Sequence, residues 1–262
     1  MTTVFPSVFV SHGAPTLAVE PGPAHDFLAG LGTTVGRPRA VLCVSAHWET
    51  ERPALTANDR PATIHDFSGF PAELYALRYP APGDGTLAAR AAGLLAGAGI
   101  EASLDATRGL DHGAWVPLSL VYPNADVPVV QLSVQPHRDA AHHLAVGRAL
   151  QPLRDEGVLV LGSGGATHNL GEVEWGDDPT PSGHVRDFEA WLVAAVTSGS
   201  VDELVGWRER APGAARIHPT TEHLVPFFVA LGAAGADARA TVLHRSFAYR
   251  ALSMAAFAWA AG

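Results

Sequence analysis

Four histidines occupy positions from which a side chain can take part in chemistry. His12 and His47 each follow an apolar run, His168 comes shortly after another, and His223 lies in the first turn of a predicted helix. Neutral imidazole is a suitable ligand for zinc, iron, copper and nickel. Three histidines at one edge of a sheet would form a facial ligand set with open positions opposite, and a fourth would supply a base beside it.

The apolar stretch at residues 41–49 predicts how such histidines are brought together. Val41, Leu42, Cys43 and Val44 show none of the polar alternation of a half-solvated strand. Both faces of this strand are therefore expected to be covered, as in a parallel sheet flanked by helices. In such sheets ligands bind beyond the carboxyl ends of the strands, where His47 lies.

The remaining periodicities predict strands that alternate with helices. Strands are predicted at 4–11, 40–46, 100–104, 127–134, 158–161 and 240–247. Helices are predicted at 24–31, 85–97, 116–122, 137–156, 186–196 and 221–231, while 252–259 fits either type. This alternation predicts an α/β fold, a single three-layer domain over residues 1–262 with a mostly parallel, mixed central sheet and flanking helices.

Composition limits the partners of the chain. The 262 residues are 47% hydrophobic and 16% charged, with a net charge of −9. The charge is spread without a basic stripe, which argues against nucleic acid or an anionic membrane as a partner and favours a small substrate. The single cysteine, Cys43, lies in the apolar strand and predicts a buried thiol in a reducing compartment. We expect a cytoplasmic protein, because the N-terminus lacks a basic leader region.

The segment at residues 58–84 predicts a long ordered loop that carries function. It contains four prolines and four aromatic residues, too apolar for disorder and too interrupted for regular structure. We expect His65, Phe67, Phe70 and Tyr79 to wall a substrate pocket, since long ordered loops are usually functional. A packed surface loop is the alternative, and the sequence leaves both open.

Other features receive no role in chemistry. The glycine-rich stretch at 162–165 lacks both the dinucleotide-binding spacing and the P-loop lysine. His218 precedes a proline, where it is expected only to satisfy backbone groups. No role is assigned to the histidines at helices with charged neighbours, which are His25, His137, His142, His143 and His184.

Six ordered segments resemble the signature segments of the class III extradiol ring-cleavage dioxygenases, in the branch named for 4,5-DOPA dioxygenase. They are Ser11-His12-Gly13-Ala14-Pro15, Val44-Ser45-Ala46-His47-Trp48-Glu49, Thr63-Ile64-His65-Asp66-Phe67-Ser68-Gly69-Phe70-Pro71, Asp111-His112-Gly113-Ala114-Trp115, Thr167-His168-Asn169-Leu170 and Pro219-Thr220-Thr221-Glu222-His223-Leu224-Val225-Pro226. The resemblance runs from the first strand to the last helix. It implies one divalent metal held by His12, His47 and His223.

The same resemblance implies the roles of further residues. His168 would be the catalytic acid/base, and His112 a second catalytic residue near oxygen and substrate. We also assign Trp115 to the substrate pocket, with His65, Phe67 and Phe70.

Glu222 raises a question of coordination, because a related branch completes its metal set with a glutamate. Neighbouring residues on a helix point about 100° apart, so Glu222 and His223 are not both expected in one tight coordination sphere. The resemblance favours His223. Glu222 is expected to support the site from outside or to lie exposed in the first helical turn.

The expected activity is oxidative cleavage of the aromatic ring of a catechol, DOPA-like, by O2 to a ring-opened semialdehyde. Fe(2+) is the expected metal, whereas Zn(2+) fits the same histidines but has no redox chemistry. Two alternatives remain, a zinc hydrolase with Glu49 or Glu222 as base and a non-catalytic binding protein of the same fold. We expect a monomer or small homo-oligomer. Candidates for binding a substrate carboxylate are Arg78, Arg108, Arg216 and Arg250.

Overall fold

The chain folds around an eight-stranded sheet in a computed structural model, which describes residues 4–176, 178–236 and 238–260. The strands of this sheet are β1 (Ser7–Ser11), β2 (Ala40–Glu49), β3 (Ala54–Thr56), β4 (Ser103–Asp105), β5 (Val129–Val134), β6 (Val158–Gly164), β7 (Arg239–His244) and β10 (Ala256–Ala260). A separate two-stranded hairpin pairs β8 (Phe247–Ala248) with β9 (Leu252–Ser253). The order across the main sheet is β4-β3-β5-β2-β6-β1-β10-β7.

Strand direction confirms the expected mixed sheet. The central strands β5, β2, β6 and β1 are parallel to one another, with Cys43 of β2 opposite Gln131 of β5 and Leu161 of β6. Antiparallel pairing is confined to the flanks, where β3 pairs with β5 and β10 lies between β1 and β7. The parallel centre places the carboxyl ends of β1, β2 and β6 at one edge.

Helices cover both faces of the sheet. They are α1 (Pro23–Val35), α2 (Ala72–Ala76), α3 (Gly85–Gly97), α4 (His112–Val121), α5 (Ala140–Leu150), α6 (Pro152–Asp155), α7 (Gly183–Thr197), α8 (Val201–Val205), α9 (Trp207–Arg210), α10 (Ala214–Ile217) and α11 (Val225–Ala234), with 3-10 turns at Pro15–Ala18 and Leu170–Glu172. Helices α1 and α4 pack on one face, while α3, α5 and α11 pack on the other. The result is three layers.

The uniform hydrophobicity of β2 follows from this double coverage. Val41 and Cys43 contact the layer of α1 and α4, whereas Leu42 and Val44 contact the layer of α3, α5 and α11. All four side chains are fully buried. Burial of each such apolar side chain contributes roughly 1.5–3 kcal/mol, so a polar residue on either face would destabilise the sheet.

Two predicted boundaries near the site were wrong. Strand β6 does not end at residue 161 but runs to Gly164, so Gly162 and Gly164 lie in the strand. The last helix starts at Val225 and not at residue 221, because Pro226, which has no backbone N–H, is favoured in the first helical turn. His223 therefore lies in the turn before α11. The hydroxyl of Thr221 donates to the carbonyl of Pro136 at 2.9 Å, which ties this turn to the segment after β5.

Other boundaries shifted for local reasons. The predicted helix at 137–156 divides into α5 and α6, because Asp139 caps α5 by accepting from the N–H of His142 and Pro152 interrupts the helix. Helix α4 begins earlier than predicted, at His112, with Asp111 as its N-cap. The ambiguous tail forms strands β9 and β10, and the short strand predicted at 100–104 lies at Ser103–Asp105.

Across the described residues, none of the helices combines the length and the apolar character that crossing a bilayer requires.

Candidate metal centre

Three histidine side chains converge at the edge formed by the carboxyl ends of the parallel strands. His12 directly follows β1, and His223 precedes α11. His47 lies near the end of β2, where the pairing of this strand with β5 becomes irregular. The Nε2 atom of His47 lies 3.0 Å from Nε2 of His12 and 3.3 Å from Nε2 of His223. The structure thus brings together the three residues that the sequence assigned to a metal.

The glycines of β6 bring His223 to the other two histidines. A Cβ atom on Gly164 would overlap the carbonyl oxygen of His223, and one on Gly162 would overlap that of Pro226. The N–H of Gly165 donates to the carbonyl of His223 at 2.8 Å. These glycines therefore allow the turn before α11 to lie directly against the strand, which is the close backbone approach that glycine permits.

The partner of each Nδ1 atom fixes the orientation of the imidazole. The hydroxyl of Ser163 donates to the carbonyl of Gly113, so its oxygen accepts from Nδ1–H of His12 at 3.0 Å. Nδ1 of His223 lies 3.0 Å from a carboxylate oxygen of Glu222, which can only accept. Nδ1 of His47 lies 3.5 Å from the carboxylate of Asp66.

These contacts make the site suitable for a cation. A neutral imidazole carries one N–H, and with the proton on Nδ1 each Nε2 presents a lone pair. Three lone pairs that face one another at 3.0 and 3.3 Å repel unless a cation lies among them. The donor set and its supporting contacts therefore fit a divalent metal bound by His12, His47 and His223.

The protonation states agree with this arrangement. Burial lowers the pKa of His12 and of His223 well below the usual histidine value, and the surrounding imidazoles lower both further. Burial, assisted by His112 and opposed by Asp66, lowers the pKa of His47 to about 3. All three imidazoles are therefore neutral at neutral pH, the form that binds metals.

His112 and Asp66 lie next to this cluster. The ring centroid of His112 is 3.9 Å from that of His47 and 5.5 Å from that of His12. Asp66 accepts from the backbone N–H of His112 at 2.8 Å and has an oxygen 3.0 Å from its Nδ1. Burial alone would raise the pKa of Asp66, but its contacts with His112 and His47 outweigh burial and lower that pKa to about 2.

His168 lies against one of the candidate ligands. Its ring stacks on that of His223 with 3.3 Å between centroids, and its backbone N–H donates to the carbonyl of Ile217 at 3.2 Å. Burial is the main cause that lowers the pKa of His168, to about 4, with Glu222 opposing it. Among the described residues, no hydrogen-bond partner is present for its ring nitrogens. His168 lies in the loop after β6, and the backbone contact with Ile217 and the stack on His223 place it there.

Aromatic residues extend from His112 toward the surface. The ring of Phe67 lies 5.6 Å from that of His112, Phe70 lies 5.5 Å from Phe67, and the exposed Trp175 lies 6.0 Å from Phe70. His65 packs beside this row, 5.8 Å from Phe67. Loop 58–84 therefore forms an aromatic wall next to the histidines, and sequence reasoning missed the contribution of Trp175.

The remaining aromatic candidates lie deeper. Trp115 is 1% exposed, and its indole N–H donates to the carbonyl of Ile64 at 2.9 Å, which places it behind His65 in the core. Tyr79 is also buried, and its hydroxyl donates to the carbonyl of Tyr122 at 3.1 Å. Both residues support the wall from within.

The arginines near the site differ in their partners. Arg108 pairs with Asp111, Arg216 with Glu172, and Arg250 with Glu174 and Asp178. Within the described residues, Arg78 has no carboxylate partner, and its guanidinium donates to the carbonyls of Tyr75 and Leu77. Arg78 therefore retains a positive charge that no acidic side chain neutralises.

A buried polar network that sequence reasoning did not identify contacts the backbone of His47. Asp111 is fully buried and accepts from the hydroxyl of Ser45 at 2.6 Å and from the amide of Gln131. Arg108 donates both to Asp111 and to the backbone carbonyl of His47, at 3.1 and 3.3 Å. Burial raises the pKa of Asp111. The adjacency of Asp111 to His112 was its only signal in the sequence.

His218 satisfies a backbone group, as the sequence suggested. Its side chain is fully buried, and Nε2 donates to the carbonyl of Ala166 at 3.1 Å. Glu222, a candidate base for a zinc hydrolase, is engaged by His223 and by the hydroxyl of Thr220 at 2.8 Å. This engagement supports the expectation that Glu222 stabilises the site from outside the ligand set.

The three-layer α/β fold gathers three histidines at the carboxyl ends of parallel strands, and this cluster could hold a metal ion. Over residues 7–259 the chain matches the family described as the catalytic LigB subunit of aromatic ring-opening dioxygenase. The chain belongs to this family.

Relatives of known name support this membership. The protein named 4,5-DOPA dioxygenase extradiol from Beta vulgaris is 46% identical over 244 residues, which cover 91% of this chain and 90% of that protein. The protein of the same name from Escherichia coli (strain K12) is 40% identical over 235 residues, which cover 88% of this chain and 86% of that protein. A crystal structure of an uncharacterized protein from Escherichia coli K12 superposes with a TM-score of 0.81 at 33% sequence identity. The match covers 98% of this chain and 100% of that protein's chain.

Family membership favours the first of the readings that the sequence left open. The chain is an oxidoreductase of the extradiol, aromatic ring-opening class.

Proposed function

We propose that His12, His47 and His223 hold one Fe(2+) ion and that the enzyme opens the ring of a catechol, DOPA-like in size, with O2. The observation that carries the proposal is the convergence of the three Nε2 atoms, 3.0 and 3.3 Å apart, with each Nδ1 held by a separate partner. When bound, ferrous iron acidifies the catechol hydroxyls and passes electrons from the ring to oxygen.

The protein supplies proton transfer through His168. Its ring nitrogens have no partner among the described residues, so one of them is available to accept a hydroxyl proton of the catechol. The same nitrogen returns the proton as the ring opens. The stack against His223 keeps the acid/base next to the metal ligands, where a bound hydroxyl would lie.

The aromatic wall orients the substrate and limits water. Phe67 and Phe70 provide edges and faces that pack against a planar ring. Trp115 and His65 hold the wall from behind. Both oxygen atoms of O2 enter the product, a ring-opened semialdehyde, so the reaction needs no additional reductant.

The partners we propose are a small aromatic substrate and O2, with a monomer or small homo-oligomer as the working unit. The net charge of −9 disfavours nucleic acid and anionic membranes as partners. The free, buried thiol of Cys43 agrees with a cytoplasmic location.

Anaerobic reconstitution tests the proposed function. Metal-free enzyme is loaded with Fe(2+), Zn(2+) or no metal, mixed with a catechol, and then exposed to O2. We expect a yellow semialdehyde and consumption of one O2 per ring with Fe(2+) alone. Equal product formation with Zn(2+), or none with Fe(2+) across a panel of catechols, would contradict the proposal.

A further inference from the structure

Asp66 contacts one candidate metal ligand and also a second histidine, His112, and the proposed reaction gives this second contact no role. It lies in loop 58–84, next to Phe67, and its side chain is 23% exposed. One oxygen accepts the backbone N–H of His112 at 2.8 Å. The other lies 3.0 Å from Nδ1 of His112 and 3.5 Å from Nδ1 of His47.

We propose that Asp66 is a positioning residue that fixes His47 and His112 together as Nδ1–H tautomers. His47 then directs its Nε2 lone pair to the metal, and His112 directs its own to a hydroxyl of the substrate as a hydrogen-bond acceptor. The functional part rests on the proposed metal and catechol chemistry. The tautomers are a property of the protein alone.

The hydrogen-bonding chemistry of a carboxylate supports this assignment. An ionised Asp can only accept, so an imidazole nitrogen that faces it is favoured as N–H. One oxygen faces Nδ1 of both rings, at 3.0 and 3.5 Å, and neither contact has hydrogen-bond geometry, so both are mainly electrostatic. Each neutral ring has a single N–H, and the second nitrogen is left as a lone pair.

His112 has a nitrogen available for the substrate. Nδ1 is buried and faces the Asp66 carboxylate at 3.0 Å without meeting hydrogen-bond geometry, and Nε2 has no hydrogen-bond partner within the described ranges, so Nε2 is the nitrogen left for the substrate. The ring lies 5.6 Å from Phe67 and 3.9 Å from His47, between the aromatic wall and the metal ligands. A catechol packed on that wall would present its hydroxyls to this nitrogen.

The backbone contact of Asp66 makes the inference testable by one isosteric change. The N–H of His112 can only donate, so in Asp66→Asn the amide oxygen is held there. The amide NH2 then faces the ring nitrogens in place of an acceptor. This change favours the Nε2–H tautomer of His112 and removes its acceptor from the substrate side, as an Asp-to-Asn change does to the histidine of a serine protease triad.

The first measurement follows the tautomers directly. Nitrogen-15 NMR of histidine-labelled, metal-free enzyme at pH 8 distinguishes Nδ1–H from Nε2–H, with signals assigned from His47→Gln and His112→Gln. We expect Nδ1–H for both rings in the wild type and Nε2–H for His112 in Asp66→Asn. The control is Asp59→Asn, the same chemical change on an exposed residue of the same loop.

The second measurement uses zinc alone and then zinc with catechol. We expect Asp66→Asn to weaken zinc binding by about 10- to 100-fold, the usual effect of removing a partner of a ligating histidine. Catechol binding to the zinc-loaded form should also weaken, while Asp59→Asn leaves both affinities and the melting temperature unchanged.

The outcomes separate this inference from the proposed function. Unchanged tautomers in Asp66→Asn overturn the positioning role, even if its melting temperature falls. A changed tautomer with unchanged catechol affinity overturns the acceptor role of His112. If the wild type binds neither zinc nor iron, the proposed function fails, and the nitrogen signals still decide the role of Asp66.

Discussion

The imidazole rings of His168 and His223 lie parallel, with 3.3 Å between their centroids and 8° between their planes. One ring belongs to the loop after β6 and the other to the turn before α11. The stack places His168, whose ring nitrogens have no hydrogen-bond partner in the part of the chain that the structure describes, against a candidate metal ligand whose own Nδ1 faces Glu222. His223 can therefore bind the metal while His168, in contact with its ring, transfers protons.

The first prediction concerns His168 as acid/base. His168→Gln should lower turnover by about 10² to 10⁴, because a positioned proton-transfer group is lost. Metal content and catechol binding should remain close to those of the wild type. Metal stoichiometry and single-turnover ring cleavage are measured on one preparation, with His137→Gln, an exposed histidine, as control. Loss of metal in proportion to loss of rate would identify His168 as a ligand instead.

The second prediction concerns the ligand set. Replacing His12, His47 or His223 with Ala should lower metal affinity by about tenfold or more, since each removes one of three donors. Elemental analysis after dialysis measures bound metal, and His137→Ala is the control. The assignment is wrong if all three variants retain a full equivalent.

The third prediction concerns the aromatic wall. Phe67→Leu and Phe70→Leu should change the relative kcat/KM values among catechols of different size more than they change the melting temperature. Phe27→Leu, which alters a partly buried ring stacked on His244 in another part of the fold, is the control. A large fall in melting temperature with unchanged selectivity would support a packed surface loop instead.

The fourth prediction concerns the charge of the substrate. Arg78→Gln should raise KM for a catechol that carries a carboxylate by about 1.4- to 5-fold, the range expected for an exposed ion pair, and leave a neutral catechol unaffected. The matched control is Arg60→Gln, which removes an exposed arginine of the same loop. Equal effects on both substrates would show that Arg78 acts through the loop and does not bind the carboxylate.

The fifth prediction concerns acid stability outside the site. Burial is the main cause that lowers the pKa of His143 from 6.5 to about 4 in the folded protein. As pH falls from 6.5 toward 4, the unfolded chain binds a proton that the folded chain does not, so stability falls in that window. At pH 5 this single group accounts for a loss of about 2 kcal/mol relative to pH 7.

Urea unfolding at both pH values checks this effect. Nδ1 of His143 donates to the carbonyl of Asp139, and Nε2 accepts from the N–H of Gln135. His143→Gln should lower stability at pH 7 but lose about 2 kcal/mol less between pH 7 and pH 5. The same pH dependence in the variant and the wild type would show that other groups control the transition.

The sequence by itself determined the layers of the fold and the candidate ligands. Continuous apolar runs such as residues 41–44 require cover on both faces, and the alternation of strands and helices leaves few topologies besides a wound sheet. His12 and His47 were identifiable because an apolar run leads directly into each. These are local signals, readable within a few residues.

Only the tertiary structure decided how the histidines are held. The partners of their Nδ1 atoms come from distant segments, as Ser163 does for His12 and Asp66 for His47. The sequence predicted that the strand ends at residue 161, before Gly162, because it does not show that the backbone of His223 packs against Gly164. Helix starts and ring orientations depend on contacts between residues far apart in the chain, and such contacts leave no periodic pattern in the sequence.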